Sequence, residues 1–161
     1  MKSKYLLVLG LLLAVSLGMG AQDMEEATTE KFRYYDEGPL TLDDFVKTYS
    51  TDNRGSYMEY GLMIEAEKLP VRNSTPIFQD IPRACMTPAR SWMRYDQANS
   101  ATLKYQQVAF DIVEKYARLM NREMNGGGGI ASTRMFFNHY YTKMEREMKD
   151  FKEASAEGSD T

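Results

Sequence analysis

The chain contains one histidine and one cysteine among its 161 residues, His139 and Cys85. A single cysteine cannot form an internal disulfide, so the fold has no covalent cross-link, and Cys85 is expected to be a small buried apolar residue. A catalytic zinc site normally needs three protein ligands, most often histidine, with Glu, Asp or Cys completing the set. Neither residue stands at a paired metal-ligand spacing. We therefore expect no metal, no other cofactor and no conventional zinc hydrolase.

Clusters of basic residues are also missing. The chain carries 20 Lys and Arg against 23 Asp and Glu. Without Lys2 and Lys4, which belong to the leader described next, 18 bases face 23 acids, a net charge of −5. An acidic chain without a basic patch argues against nucleic acid or an anionic membrane surface as a partner.

The N-terminal segment has the layout of a secretory signal peptide. Two lysines precede an apolar run from Tyr5 to Gly18, and small residues follow up to Ala21. The run is shorter than the roughly 20 residues that cross a bilayer. We predict a signal peptide over residues 1–21 and export to the periplasm or the cell exterior, with no membrane span after its removal. A flexible polar lead-in over 22–37, one domain over 38–152 and a loose tail over 153–161 complete the predicted organisation.

The remaining patterns predict an α+β fold. Thr41 can cap a short helix with Phe45 and Tyr49 on its inner face. Residues 56–68 alternate as a strand does, and residues 77–92 predict one or two short strands broken at Pro82 and Pro88. Apolar residues at helical spacing predict helices over 96–124, capped by Ser100 or Asn99, and over about 132–152. We expect a small antiparallel sheet packed on two long helices.

The first of these helices resembles the zinc-binding helix of a metalloprotease without its ligands. In an H-E-x-x-H helix two histidines one turn apart hold zinc and the glutamate acts as general base. The corresponding positions here are Tyr105, Gln106 and Ala109. A tyrosine phenol ionises near pH ~10, a glutamine cannot act as a base, and an alanine offers no donor atom.

Residues around these three positions resemble a family of secreted bacterial domains grouped as zinc-dependent proteases of unknown function. The family helix reads roughly H-E-Q-x-H-F-D-I-x-E-x-Y-A-R, and outside the three catalytic positions this chain agrees at Gln107, Phe110, Asp111, Ile112, Glu114, Tyr116, Ala117 and Arg118. Leu40–Phe45 and the pair Ser91-Trp92 match two further blocks of the family. A downstream family histidine would fall on Glu157. The resemblance implies a zincin-like helix without metal ligands and an inactive relative of a zinc metalloprotease.

Three functions are compatible with these patterns. The first is a non-catalytic domain that binds a peptide or an envelope protein in a cleft lined by Tyr105, Gln106, Trp92 and Tyr95, because aromatic and amide groups suit recognition. The second is a hydrolase with a relocated or metal-free site. Its candidate residues are Asp111, Glu114, His139 and Glu157. The third is a structural envelope protein that associates only with itself. The identity of the partner and the oligomeric state stay open.

Overall fold

The computed structural model describes residues 30–49, 51–69, 77–125 and 130–155, the last range with side chains from residue 133 onward. The predicted signal peptide and Glu157 lie outside these ranges. The described elements are listed in chain order: β1 Arg33–Tyr34, β2 Val46–Thr48, β3 Ser56–Tyr57, β4 Tyr60–Lys68, β5 Phe78–Met86, β6 Trp92–Arg94, α1 Ser100–Met124 and α2 Ile130–Ala154. The prediction of an α+β fold with two long helices is confirmed.

The larger sheet is antiparallel, in the order β1-β5-β4. The expected break at Pro82 is wrong, because β5 runs through this residue, which pairs with Ile64 of β4. On its other side β5 meets β1 only at Cys85 and Met86. Among the described strands, Pro82 therefore has a neighbour on one side alone, where a missing backbone donor is tolerated.

The smaller sheet, in the order β2-β6-β3, was not foreseen. Strand β6 pairs in parallel with β2 and antiparallel with β3. The short helix after Thr41 is a single 3-10 turn over Leu42–Asp44. Phe45 is buried as expected, but Tyr49 is 84% exposed, because the chain has become β2 rather than helix.

Helix α1 provides the centre of the core. The Asn99 side chain accepts a hydrogen bond from the Thr102 amide, which confirms one of the two predicted caps. Residues 95–97 before it form a 3-10 turn and lie outside the helix. Phe110, Val113 and Met120 are fully buried and pack in one cluster with apolar residues of β4, β5 and α2. This helical stripe is what the sequence period predicts.

Helix α2 packs against α1 through its own apolar stripe, listed as Tyr140, Met144 and Met148. The two helices are also linked by Glu147, which accepts hydrogen bonds from Lys115 at 2.6 Å and from Tyr116 at 2.8 Å. The Lys115 ammonium is the main cause of a lowered Glu147 pKa. Neither helix contains, within the described residues, an apolar stretch long enough to cross a bilayer.

Two predicted boundaries move. Strand β1 lies inside the predicted lead-in over 22–37, and Arg33 binds the Asp44 carboxylate at 3.0 Å. Its guanidinium also donates to the carbonyls of Gly38 and Pro39. The segment around Arg33 therefore belongs to the folded domain rather than to a flexible lead-in. At the other end α2 continues to Ala154 rather than ending at Lys152.

Candidate functional site

The three degenerate motif positions lie together on the buried side of α1. Tyr105, Gln106 and Ala109 are 9%, 3% and 2% exposed. Their neighbours come from three elements: Tyr60 at the start of β4, Ser56 in β3, and Phe151 near the C-terminal end of α2. A catalytic helix would present these positions to substrate, whereas here the domain has packed around them.

The tyrosine at the first ligand position is used in packing. Its ring stacks on Phe151 of α2, with ring centroids 5.0 Å apart and planes 19° from parallel. Stacked aromatic pairs add about 0.5–1.5 kcal/mol beyond their buried area. The position therefore fastens α2 to α1.

The amide at the general-base position makes a buried hydrogen bond. Nε2 of Gln106 donates to Oγ of Ser56 at 2.7 Å, and Ser56 is itself 8% exposed. The bond joins α1 to β3 across fifty positions of sequence. A neutral amide suits this place because an unpaired charge would lose its hydration there.

A small cavity remains beside these residues. Its volume is about 40 Å³, it opens partly to solvent, and it is lined by Arg54, Ser56, Tyr57, Met58, Tyr60, Tyr105, Gln106, Ala109 and Lys152. Pockets that enclose a small-molecule ligand measure about 300–1,000 Å³. The predicted peptide cleft is thus reduced to a hole for a few atoms.

The residues of this cavity do not fit zinc. Ala109 has no donor atom, the Gln106 amide is bound to Ser56, and the Tyr105 ring is held against Phe151. Within the described ranges, no three His, Cys, Asp or Glu side chains converge as metal ligands. The chemistry of an H-E-x-x-H site cannot be derived from this arrangement.

An aromatic patch lies next to the cavity, on the smaller sheet and at the ends of two of its strands; we define it as Tyr49, Tyr57, Trp92 and Tyr95 together with Arg54. Tyr57 and Trp92 are cross-strand partners with ring centroids 6.3 Å apart. The Arg54 guanidinium lies over both rings, at 5.2 and 5.7 Å. Arg54 and Tyr57 also line the cavity, so this part of the patch borders it directly.

The most exposed part of the patch is a tyrosine pair. Tyr49 follows β2 and Tyr95 follows β6, and their ring centroids are 4.4 Å apart. They are 84% and 53% exposed. The parallel pairing of β2 with β6 brings them together. Two of the predicted cleft residues, Trp92 and Tyr95, therefore lie on this patch rather than in a cleft with Tyr105.

The predicted carboxylate candidates lie elsewhere, in a shallow groove on the opposite side of α1. Asp111 accepts hydrogen bonds from the Tyr35 hydroxyl at 2.9 Å and from Gln107 at 2.8 Å, and the Tyr35 bond raises the pKa of that phenol. Glu114 is paired with Arg118 at 2.7 Å. The groove measures about 470 Å³ but is wide open. Both carboxylates are committed to local partners.

The other two candidates do not join either place. His139 is exposed on α2, with its ring edge-on to Tyr140 at 5.1 Å. Glu157 lies outside the described residues, so its position relative to α1 stays a prediction. Burial raises the pKa of the Cys85 thiol to about 12, which fits its expected role as a buried apolar residue and keeps it from acting as a thiolate.

Sequence reasoning missed the cationic lining of the cavity. Arg54 precedes β3 in a polar loop, and Lys152 lies near the end of α2. Each cation rests on a tyrosine ring, Arg54 on Tyr57 and Lys152 on Tyr60 at 5.1 Å. No local pattern links positions a hundred residues apart, so only the fold brings them together.

The chain matches no protein-family model, no curated protein and no solved structure. The resemblance to secreted zinc-protease-type domains therefore rests on the sequence blocks quoted above.

Proposed function

We propose that this protein is an exported, non-catalytic recognition domain that binds a peptide or an envelope protein through the aromatic patch. The observation that carries the proposal is the pair Tyr49 and Tyr95, large aromatic side chains exposed at 84% and 53% directly after strands β2 and β6. Tyrosine, tryptophan and arginine are the residues that most often dominate binding energy. Tyrosine also supplies a large contact area with little loss of conformational entropy on binding.

The proposal places recognition on the patch rather than over α1. The positions that hold metal and base in an active protease are occupied here by packing and by a buried hydrogen bond. Substituting Tyr105 or Gln106 would disturb the core and could abolish binding without either residue touching a partner. Exposed patch residues provide the cleaner test.

The decisive experiment is a selection of displayed random peptides against the folded domain. Enriched peptides are then measured by fluorescence anisotropy with the unmodified protein and with Tyr49→Ser and Tyr95→Ser. We expect each substitution to weaken binding at least tenfold, about 1.4 kcal/mol, with the thermal unfolding midpoint unchanged. Tyr141→Ser, at a 40% exposed tyrosine on α2, is the matched control.

Selection that enriches no peptide, or peptides that bind both patch variants as tightly as the unmodified domain, would remove the proposal. Zinc analysis of the purified mature protein addresses the hydrolase alternative, because near-stoichiometric zinc after purification would contradict the lining described above.

The filled space above Ala109 favours a second candidate, the structural envelope protein. A domain that has closed its cleft with Phe151 no longer needs a ligand there. Light scattering over a range of concentrations tests this function, since it requires self-association and the recognition domain does not.

A further inference from the structure

The cavity beside Gln106 has an uneven distribution of charge. Two of its lining residues, Arg54 and Lys152, are cations, and no acidic side chain is among the residues that line it. Building on the proposed function, we propose that this cavity receives a carboxylate group of the bound partner, while the aromatic patch holds the residue next to it.

The size of the cavity suits that group. One water needs about 10–15 Å³ of such space, so the cavity of about 40 Å³ has room for roughly three heavy atoms. A carboxylate has three heavy atoms, whereas a phosphate or a sugar has more. The cavity is partly open to solvent, which gives a ligand access to it.

Lys152 supplies the charge that has least compensation. Its ammonium lies 5.1 Å from the Tyr60 ring centroid, and among the described residues no carboxylate is within ion-pair distance of it. A cation held over an aromatic ring keeps most of its attraction for an anion, since the ring carries no net charge. Lys152 is thus placed to bind a carboxylate oxygen.

Three carboxylates lie beside residues that line the cavity, although none of the three lines the cavity itself. Asp52 binds Arg54 at 2.6 Å, which lowers the pKa of that carboxyl to about 2. Glu59 accepts from the Tyr57 hydroxyl, and burial together with the nearby Glu145 carboxylate raises the pKa of the Tyr60 phenol. These three carboxylates moderate the positive charge, so we expect weak, reversible binding of an isolated carboxylate.

The floor of the cavity offers a neutral donor. Oγ of Ser56 accepts the hydrogen bond from Gln106, which leaves the serine O–H available as a donor. Hydrogen bonds to a charged acceptor are about twice as strong as neutral ones. A carboxylate between Ser56 and Lys152 would receive one donor from each side.

The single tryptophan of the chain, Trp92, reports on this site because the Arg54 guanidinium lies 5.7 Å from its ring. Three probes are titrated against its fluorescence: acetyl-Gly-Phe with a free C-terminus, the same peptide as its C-terminal amide, and acetyl-Glu-Phe-amide. We expect the neutral amide to bind at least tenfold more weakly than one of the two carboxylate peptides. Whichever of these two peptides binds more tightly shows whether the cavity takes a C-terminal carboxylate or an acidic side chain.

Lys152→Gln should weaken the carboxylate peptide about tenfold and leave the neutral peptide unchanged, because it removes one charged hydrogen bond. Lys152→Arg should restore most of the affinity. Lys149→Gln is the matched control on the same helix, with a 73% exposed side chain. The thermal unfolding midpoint of each variant shows that the fold is intact.

Equal affinities of charged and neutral peptides, equal effects of Lys152→Gln and Lys149→Gln, or no response of Trp92 to any probe at millimolar concentration would each overturn the carboxylate site. None of these outcomes decides the proposed function. That function is judged by the selected peptides and the Tyr49 and Tyr95 variants, which lie outside the cavity.

Discussion

Replacing Gln106 by glutamate would return the acidic residue of a zinc-protease helix to a place that is closed around a neutral amide. Gln106 is 3% exposed and its one described side-chain hydrogen bond is to Ser56 at 2.7 Å. An ionised carboxylate there loses most of its hydration, so its pKa rises above that of an ordinary glutamate. Arg54 and Lys152, which line the same cavity, offset part of this loss.

The cost follows from the buried environment. A buried polar group left without full hydrogen bonding costs about 1–3 kcal/mol, and a charged one costs more. With two cations nearby, we expect Gln106→Glu to lower the free energy of unfolding by about 2–3 kcal/mol at neutral pH. For a domain of this size that corresponds to a fall of about 8–12 °C in the unfolding midpoint.

The stability difference between Gln106→Glu and the unmodified protein should depend on pH in a defined direction. The introduced acid keeps its proton in the native state over a pH range in which the unfolded chain has already released it. Stability relative to the unmodified protein therefore falls as pH rises through that range, by about 1.4 kcal/mol per pH unit, and levels off above the native-state pKa. Below the ordinary glutamate pKa the difference should nearly vanish.

Urea unfolding of both proteins at a series of pH values measures this difference directly. Gln97→Glu adds the same charge at an exposed position and should show almost no pH-dependent loss. If Gln106→Glu is as stable as the unmodified protein across the series, the position is open to water and the closed site described above is refuted.

Substitutions at three further positions test other contacts. Tyr105→Ala should destabilise by about 3–5 kcal/mol in urea unfolding, as for other buried aromatic residues, whereas Tyr105→Phe should cost much less because the ring is kept; equal losses would show that the hydroxyl dominates. Gly38→Ala should cost about 1–3 kcal/mol, because Gly38 has φ 108°, a backbone conformation that residues with a Cβ rarely adopt. No atom lies within 4 Å of the added Cβ, so this cost is backbone strain alone, and an unchanged stability in calorimetry would contradict it. Folding lowers the pKa of Glu147, so its contribution is present at neutral pH and is lost as pH falls through that lowered pKa. The stability gap between the unmodified protein and Lys115→Met should therefore narrow on acidification, and a constant gap would mean that the ion pair contributes nothing.

Local patterns predicted the helices well because their causes are local. The apolar period of α1 and the Asn99 cap lie within one stretch of sequence, and both are observed. The strand over 56–68 is also present, apart from a break between Tyr57 and Tyr60. The parallel pairing of β2 with β6 and the passage of β5 through Pro82 depend on which strands lie alongside, information that no window of sequence contains.

The candidate site was less predictable for the same reason. Burial of Gln106 depends on Ser56, and burial of Tyr105 depends on Phe151, each about fifty residues away. The motif comparison identified the positions that had lost their chemistry. It could not show that Trp92 and Tyr95 lie outside on the smaller sheet, or that Lys152 reaches the cavity from the far end of α2.

The β4–β5 hairpin buries its apolar face against α1, a helix that is synthesised after it. The buried residues of these strands, including Leu62 and Met86, belong to the same cluster as Phe110 and Met120 of α1. Until residues 100–124 have emerged from the ribosome, that apolar face lacks the helix that covers it. The hairpin therefore keeps this apolar face exposed during synthesis until α1 has been made.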